Sequence, residues 1–284
     1  MMTRRTFHQL AAHQLAAYQL TIAAFTKINS KVRGVMIGAQ TYSFRDRDLD
    51  ACIAGMKEVG LGYAELFQGH VEPKDASKLA AWRKNPPLDE FRTVRRKFDD
   101  AGIDLVAYNY SFREDWSDEE LARGFDMAKA LGVKYITASS NVSTAKRLSP
   151  LAEKNQIYVG FHNHSLVQAN EFARPRDFEE ALAGKSRYLA INLDIGHFTM
   201  AGYDPVSFLE QHHDRIITLH IKDVRRNPPA FTPFGEGDTN IKGVLRLLES
   251  KHYPIPANIE YEYSGGDTIA EMKRCFAYCK AALK

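Results

Sequence analysis

A single (β/α)8 barrel of the α/β class is the fold this sequence predicts, and three observations point to it. Eight short apolar runs rich in β-forming residues alternate with amphipathic helical stretches. The alternation fills about 250 residues, the usual size of one such barrel. Histidines, aspartates and glutamates stand at the ends of those runs, where a barrel of this kind builds its site. The predicted organisation is a catalytic domain over residues 34–284 behind an N-terminal extension at 1–33.

The chain has 284 residues, of which 44% are hydrophobic and 26% charged, so it can bury a large core and has an ordinary globular composition. Its net charge of +3 comes from the beginning: residues 1–33 hold five of the 38 Lys/Arg (Arg4, Arg5, Lys27, Lys31, Arg33) and no acid, leaving 33 basic against 35 acidic residues, or −2. A near-neutral body has no general electrostatic reason to hold a phosphate backbone, so no nucleic-acid partner is expected. The three cysteines, Cys52, Cys275 and Cys279, lack metal-type spacing and read as small packing groups that need no disulfide.

The opening "TRRTFHQLAAHQLAAYQLTIAAF" pairs two arginines with a phenylalanine and a weakly apolar stretch. It resembles a twin-arginine export signal, which predicts a periplasmic protein; the alternative is a helix over the barrel end or trailing in solvent, in a cytoplasmic one. The unit "HQLAA" occurs in tandem at 8–12 and 13–17, a five-residue period that fits neither a helix nor a strand stripe. No later run reaches the roughly 18 apolar residues that span a bilayer, so no membrane partner is expected.

The elements follow in order. "VMIGAQTY" (35–42) is the first strand, and the following "LDACIAGMKEVG" places Leu49, Ile53, Met56 and Val59 on one helical face. "YAELF" (63–67) is the second, followed by a longer segment with "KNPP" and a helix around "DEFRTVRRKFDDAG". "IDLVAYNY" (103–110) precedes a helix that Ser117 should cap, with Glu120 as its capping-box partner. Strands four to eight are "KYITAS" (134–139), "QIYVGFH" (156–162), "YLAINLD" (188–194), "IITLHIK" (216–222) and "PANIEYE" (256–262), with helical patterns between them. A doubly wound open sheet would want a glycine-rich phosphate loop after strand one, where "AQTYSFRD" stands instead.

The polar residues then fall at strand ends: Glu65 on strand two, His162 and His164 on five, Asp194 and then His197 on six, His220 and then Lys222 and Asp223 on seven, Glu260 and Glu262 on eight. Any one of them alone would ordinarily be solvated or cap a helix. Carboxylates converging on one pocket repel, and a divalent cation resolves that repulsion. The mixed N/O set His162, Asp194, His220 and Glu260 suits Mn, Co, Zn, Fe or Mg, with Mn or Zn favoured, and the absence of thiolate removes the hint of a structural zinc.

On "LDIGH", "HIKD", "GEGD" (235–238) and "IEYE", in that order, the chain resembles the xylose isomerase-like TIM barrel superfamily. That group includes sugar-phosphate isomerases/epimerases, ketose 3-epimerases, inosose dehydratases and endonuclease IV, and the likeness covers roughly residues 35–284. It implies metal ligation by Asp194, His220 and Glu260, substrate contacts from His197, and a substrate-contacting arginine at Arg226. Glu65 and Lys222 are counted with the substrate-binding residues. The departure is on strand five, where ketose epimerases carry a glutamate that both ligates and exchanges a proton, paired with the strand-eight glutamate; this chain has His162.

An imidazole bound to metal has no free carboxylate oxygen to act as base. His164, on the same side of an extended strand, becomes the candidate base, since imidazole titrates near ~6.5. His164 and Glu260 are therefore the predicted catalytic pair, and Asn163 between the histidines should point away toward the helices. The activity expected is a metal-dependent isomerase or epimerase on a sugar or keto-sugar, by proton abstraction next to a carbonyl through a stabilised enediolate. A lyase eliminating from a 3-keto-glycoside or keto-cyclitol is the alternative.

Two further classes stay open: an endonuclease IV-like nuclease, for which His70 is one extra ligand candidate, and a metal-free sugar-binding barrel. Tyr42, Phe44 and Phe67 are candidates for an apolar wall under a sugar ring, and Trp82 and Trp116 for lids or oligomer contacts. The partner expected is a small-molecule sugar, with homo-oligomerisation open.

Overall fold

The computed structural model describes residues 26–284. Eight parallel strands close into a barrel: β1 (Val35–Gln40), β2 (Tyr63–Phe67), β3 (Asp104–Asn109), β4 (Tyr135–Ala138), β5 (Tyr158–His162), β6 (Leu189–Asp194), β7 (Ile216–Ile221) and β8 (Ala257–Ile259). Each pairs with the next in sequence, and β8 closes on β1. Every strand lies inside the run predicted for it, so the (β/α)8 expectation holds. The runs overshoot at their C-terminal ends because residues such as Tyr42, Lys222 and Glu260 leave the ladder to line the mouth.

Helices follow the strands as the periodicity requires. Asp48 begins the helix Leu49–Val59 by accepting the Ala51 N–H at 2.9 Å, and Gly60, at φ 86°, ends it. Ser117 and Glu120 form the expected capping box on Asp118–Leu131. Two features were not legible beforehand. A short helix, Ile195–Met200, follows β6 directly. After β7 the chain folds back as an antiparallel hairpin of Asp223–Arg226 and Pro229–Thr232, where the sequence suggested only a loop.

The barrel floor is closed by the chain's entry. Lys31–Val32 pairs antiparallel with β1 through a two-residue turn in which Arg33 and Gly34 both have positive φ, 47° and 89°. Ser30 Oγ donates to the Ile37 carbonyl at 2.6 Å and accepts the Gly62 N–H at 2.9 Å. Residues 26–33, read from sequence as extension, are thus part of the floor. The paired arginines and the tandem repeat, and the export reading with them, lie outside the described residues.

The cysteines are buried and free. Among the described residues no helix is long and apolar enough to cross a membrane.

A Cβ on Gly62 would fall 1.9 Å from the Ile28 carbonyl oxygen. Gly62→Ala is therefore expected to destabilise the protein by about 1–3 kcal/mol through overpacking, read as a lower denaturant midpoint. An unchanged midpoint would mean that the floor segment does not bear on stability.

Candidate metal and substrate site

The C-terminal ends of β5, β6, β7 and β8 bring four of the expected side chains together. One ligand atom from each of His162, Asp194, His220 and Glu260 lies within 4.8 Å of the others. All four residues are buried. Local sequence explains the placement of the β6 pair. Asp194 Oδ1 accepts the His197 N–H at 2.7 Å, starting the short helix and leaving Oδ2 for the cavity. Gly196 lets that helix sit on Lys222, since a Cβ there would come within 2.9 Å of the Lys222 carbonyl oxygen and Cβ.

Behind His220 lies Glu65, fully buried. Its Oε1 accepts Gln40 Nε2 at 2.8 Å, Thr137 Oγ1 at 2.6 Å and His220 Nε2 at 2.9 Å, and its Oε2 accepts Asn258 Nδ2 at 3.0 Å. The expectation that Glu65 touches substrate is corrected: its oxygens are consumed inside the barrel, and it orients His220 so that Nδ1 faces Glu260 Oε2 at 3.2 Å. Asn163 does not point to the helices either. Its amide clamps β6, donating to the Asp194 carbonyl and accepting the Asp194 N–H, both at 3.0 Å.

Lys222 is the electrostatic centre. Its Nζ stands 3.1 Å from Asp194 Oδ2, 2.8 Å from Glu260 Oε2 and 2.6 Å from Glu262 Oε2. Burial opposes its charge, but these carboxylates outweigh burial and raise its pKa, so it stays an ammonium. Burial likewise opposes charge on Glu260, yet Lys222 and His220 hold its pKa well below the usual carboxylate range. On His220, burial is outweighed by Glu65 and Glu260, and the pKa is raised well above that of free imidazole. Burial, with the nearby positive groups, pushes His162 and His197 well below it.

The side chains pass a direct test for a divalent cation. His162 Nδ1 is buried without a hydrogen-bond partner among the described residues, while Asp194 Oδ2, His220 Nδ1 and Glu260 Oε2, also buried, are engaged there by ion pairs with Lys222 and with one another, contacts that a shared ion can replace. Two imidazoles and two carboxylates suit a first-row divalent metal. Loading the site requires His220 to release the proton it shares with Glu260 and Lys222 to move off Asp194 and Glu260.

A cavity of about 350 Å³ opens over this set, lined by His162, His164, His197, Lys222, Glu260 and Glu262 on one side and by Tyr42, Phe67, Gln68, Asn109, Ser111 and Ser139 on the other. Tyr42 and Phe67 meet edge to face at 5.1 Å, giving the wall expected of them, whereas Phe44 is fully buried in the core. Trp82 and Trp116 are half-buried and pack against the core.

Arg226 is not brought to the site. It is exposed on the hairpin, its backbone N–H bound to Asp238 Oδ2 at 2.8 Å. The same hairpin carries Phe231, which sequence reasoning missed: its ring lies 5.4 Å from that of His197 and 5.1 Å from Lys222 Nζ. Asp223 holds the hairpin's return, accepting the backbone N–H groups of Gly235, Gly237 and Thr239 at 2.7, 3.1 and 3.2 Å, so the "D" of "HIKD" ties down "GEGD". His70 has both ring nitrogens against Thr41 Oγ1 and the Phe44 carbonyl, at 3.0 and 3.4 Å, and lies outside the ligand groups found among the described residues.

Residues 53–279 match the family model described as "Xylose isomerase-like TIM barrel". An inosose dehydratase of Clostridium tetani is 27% identical over 127 residues, 38% of this chain and 41% of that protein. SgbU of Escherichia coli, whose name proposes an L-ribulose-5-phosphate 3-epimerase, is 23% identical over 210 residues, 71% of this chain and 66% of that one. The chain thus spans less than two thirds of both curated relatives.

Among solved structures, the 3-keto-D-glucoside 4-epimerase YcjR of E. coli superposes with a TM-score of 0.68 at 12% identity, covering 87% of this chain and 99% of its own. The IolI protein with its bound zinc atom gives 0.67 at 16%, covering 88% and 98%.

Glu65→Gln replaces an acceptor-only group with one that cannot satisfy all its donors. It is expected to weaken divalent-cation affinity about 10–100-fold in a calorimetric titration with Mn²⁺, with the fold kept by circular dichroism. Unchanged affinity would make Glu65 a purely structural residue.

Proposed function

The chain belongs to the xylose isomerase-like TIM barrel family, and within it we propose a divalent-metal-dependent enzyme that removes a proton next to the carbonyl of a sugar or keto-sugar. The observation that carries the reading is the buried convergence of His162, Asp194, His220 and Glu260, opening on a cavity walled by Tyr42 and Phe67. A cation held there would act as a Lewis acid on a carbonyl and a neighbouring hydroxyl oxygen.

The chain's own groups supply the rest. His164 lines the cavity with its ring 4.9 Å from that of His162, placed to take the proton as general base. Lys222, held as an ammonium, donates hydrogen bonds to the oxygen on which charge develops and does not itself accept the proton. His197 and Glu262 stand where they can contact substrate hydroxyls, and Tyr42 with Phe67 offers an apolar face to the ring's C–H side.

Isomerisation or epimerisation is the leading outcome, supported by the epimerases among the relatives. Elimination is favoured as the second reading by one observation. A two-carboxylate proton shuttle needs a carboxylate on strand five as well as on strand eight, and strand five carries His162 in that place. A lone base suffices to eliminate from a 3-keto-glycoside or keto-cyclitol, and the inosose dehydratase among the relatives supports that chemistry. Export rests on Arg4 and Arg5 and would favour a substrate without phosphate.

Incubating the Mn²⁺-loaded protein in D₂O with free ketoses and 3-keto-glycosides is expected to place deuterium on the carbon next to the carbonyl; product analysis separates the two outcomes. Removal of the metal by chelation should abolish exchange, and activity indifferent to chelator would sink the reading. His164→Ala is expected to lose about 10²–10⁴-fold in exchange rate while keeping Mn²⁺. Loss of Mn²⁺ in that variant would instead assign His164 to the cation.

A further inference from the structure

Beside the four-residue set, a second group of ligand atoms is made of imidazoles alone. One nitrogen each from His162, His164 and His197 lies within 4.8 Å of the other two, with ring centroids 4.9, 6.0 and 5.3 Å apart. His162 Nδ1 and His197 Nδ1 are buried without hydrogen-bond partners. The only hydrogen bond found for His164 among the described residues is from its backbone N–H to the Phe172 carbonyl, at 2.8 Å. We propose that this three-imidazole set is a distinct zinc site, which captures Zn²⁺ in preference to the four-residue set and so shuts the enzyme down.

The preference follows from what already occupies each set. Asp194 Oδ2 and Glu260 Oε2 have the Lys222 ammonium at 3.1 and 2.8 Å, so a cation entering there must push a positive charge aside. Among the described residues no salt bridge or hydrogen bond holds the three imidazole rings; Lys222 and His220 bring positive charge near them but occupy none of their nitrogens. Zn²⁺ takes three imidazoles readily in an open site, whereas Mn²⁺ favours carboxylate oxygen. Tetrahedral Zn–N bonds of about 2.0–2.1 Å put two ligand atoms about 3.4 Å apart, so nitrogens within 4.8 Å of one another need to close by up to about 1.5 Å.

The two sets exclude one another. A neutral imidazole has a single lone pair for a metal, because its other nitrogen carries the proton, and His162 belongs to both sets. An ion in the four-residue set leaves His164 free; zinc among the imidazoles uses it. That inhibitory consequence rests on the role given to His164 above, while the ligand assignment does not.

The test is calorimetric titration of the full-length, metal-free protein with ZnCl₂ and, separately, MnCl₂. One Zn²⁺ per chain is expected. Its affinity should fall in His197→Ala and His164→Gln by more than the ~10–100-fold typical of losing an outer-shell partner, with Mn²⁺ affinity unchanged. Glu260→Gln should do the reverse. His164 is only half-buried, so its variant gives a reading even where His197→Ala fails to fold. Zinc affinity unaffected in His164→Gln, or weakened as much by Glu260→Gln, overturns the proposal, and two equivalents of zinc overturn the exclusion. Absence of proton exchange with Mn²⁺ would count against the enzymatic reading and leave these binding outcomes as they are.

Discussion

A carboxylate sealed inside a barrel is the constraint around which this site is arranged. Stripping Glu65 of water costs several kcal/mol unless its oxygens are fully hydrogen-bonded, and the four donors that satisfy them come from β1, β4, β7 and β8. Only the closed barrel in its correct register assembles them. A slip of one residue in any of these strands turns the donor outward, so the buried charge helps to enforce register. Because one donor is His220 Nε2, the same requirement fixes which nitrogen of that ring is left for chemistry.

A second electrostatic problem is solved at the mouth. Asp194, Glu260 and Glu262 converge there, and Lys222 reaches all three. The ammonium lets the carboxylates lie close together without a metal, and it is also the group that a metal has to move. The side chain owes its position to two neighbours: Gly196 lets the short helix rest against it, and Phe231 covers it from the hairpin. That hairpin depends in turn on the Asp223 carboxylate gathering backbone N–H groups from the return loop.

Much of this was legible in the sequence because alternation reports strands and strand ends report a barrel's site. His162, Asp194, His220 and Glu260 were found from their positions alone, and the structure brings them together. Glu65 was misread because a strand-end carboxylate looks the same whether it faces the cavity or the core. Its four partners are separated by tens to hundreds of residues, and no local pattern announces them. Arg226 was misplaced for a different reason. Counting from His220 assumes a loop that stays over the site, whereas the chain runs out as a hairpin strand that turns just after Arg226, leaving Arg226 exposed at the tip and bringing Phe231 back in. Phe231 itself carries no signal beyond being an aromatic in a polar loop.

The join between β1 and β2 is the thinnest part of the wall. Only two residue pairs connect these strands, Ala39 with Ala64 and Gln40 with Glu65, against five between β2 and β3. Lower down, the Ser30 hydroxyl stands in for the missing rung, bridging the Ile37 carbonyl and the Gly62 N–H. The eightfold repeat closes its circumference here on two residue pairs alone, and a side chain from outside the repeat adds the third bridge. A redesigned protein that begins at the first barrel strand would leave one backbone donor and one acceptor unmatched at the join.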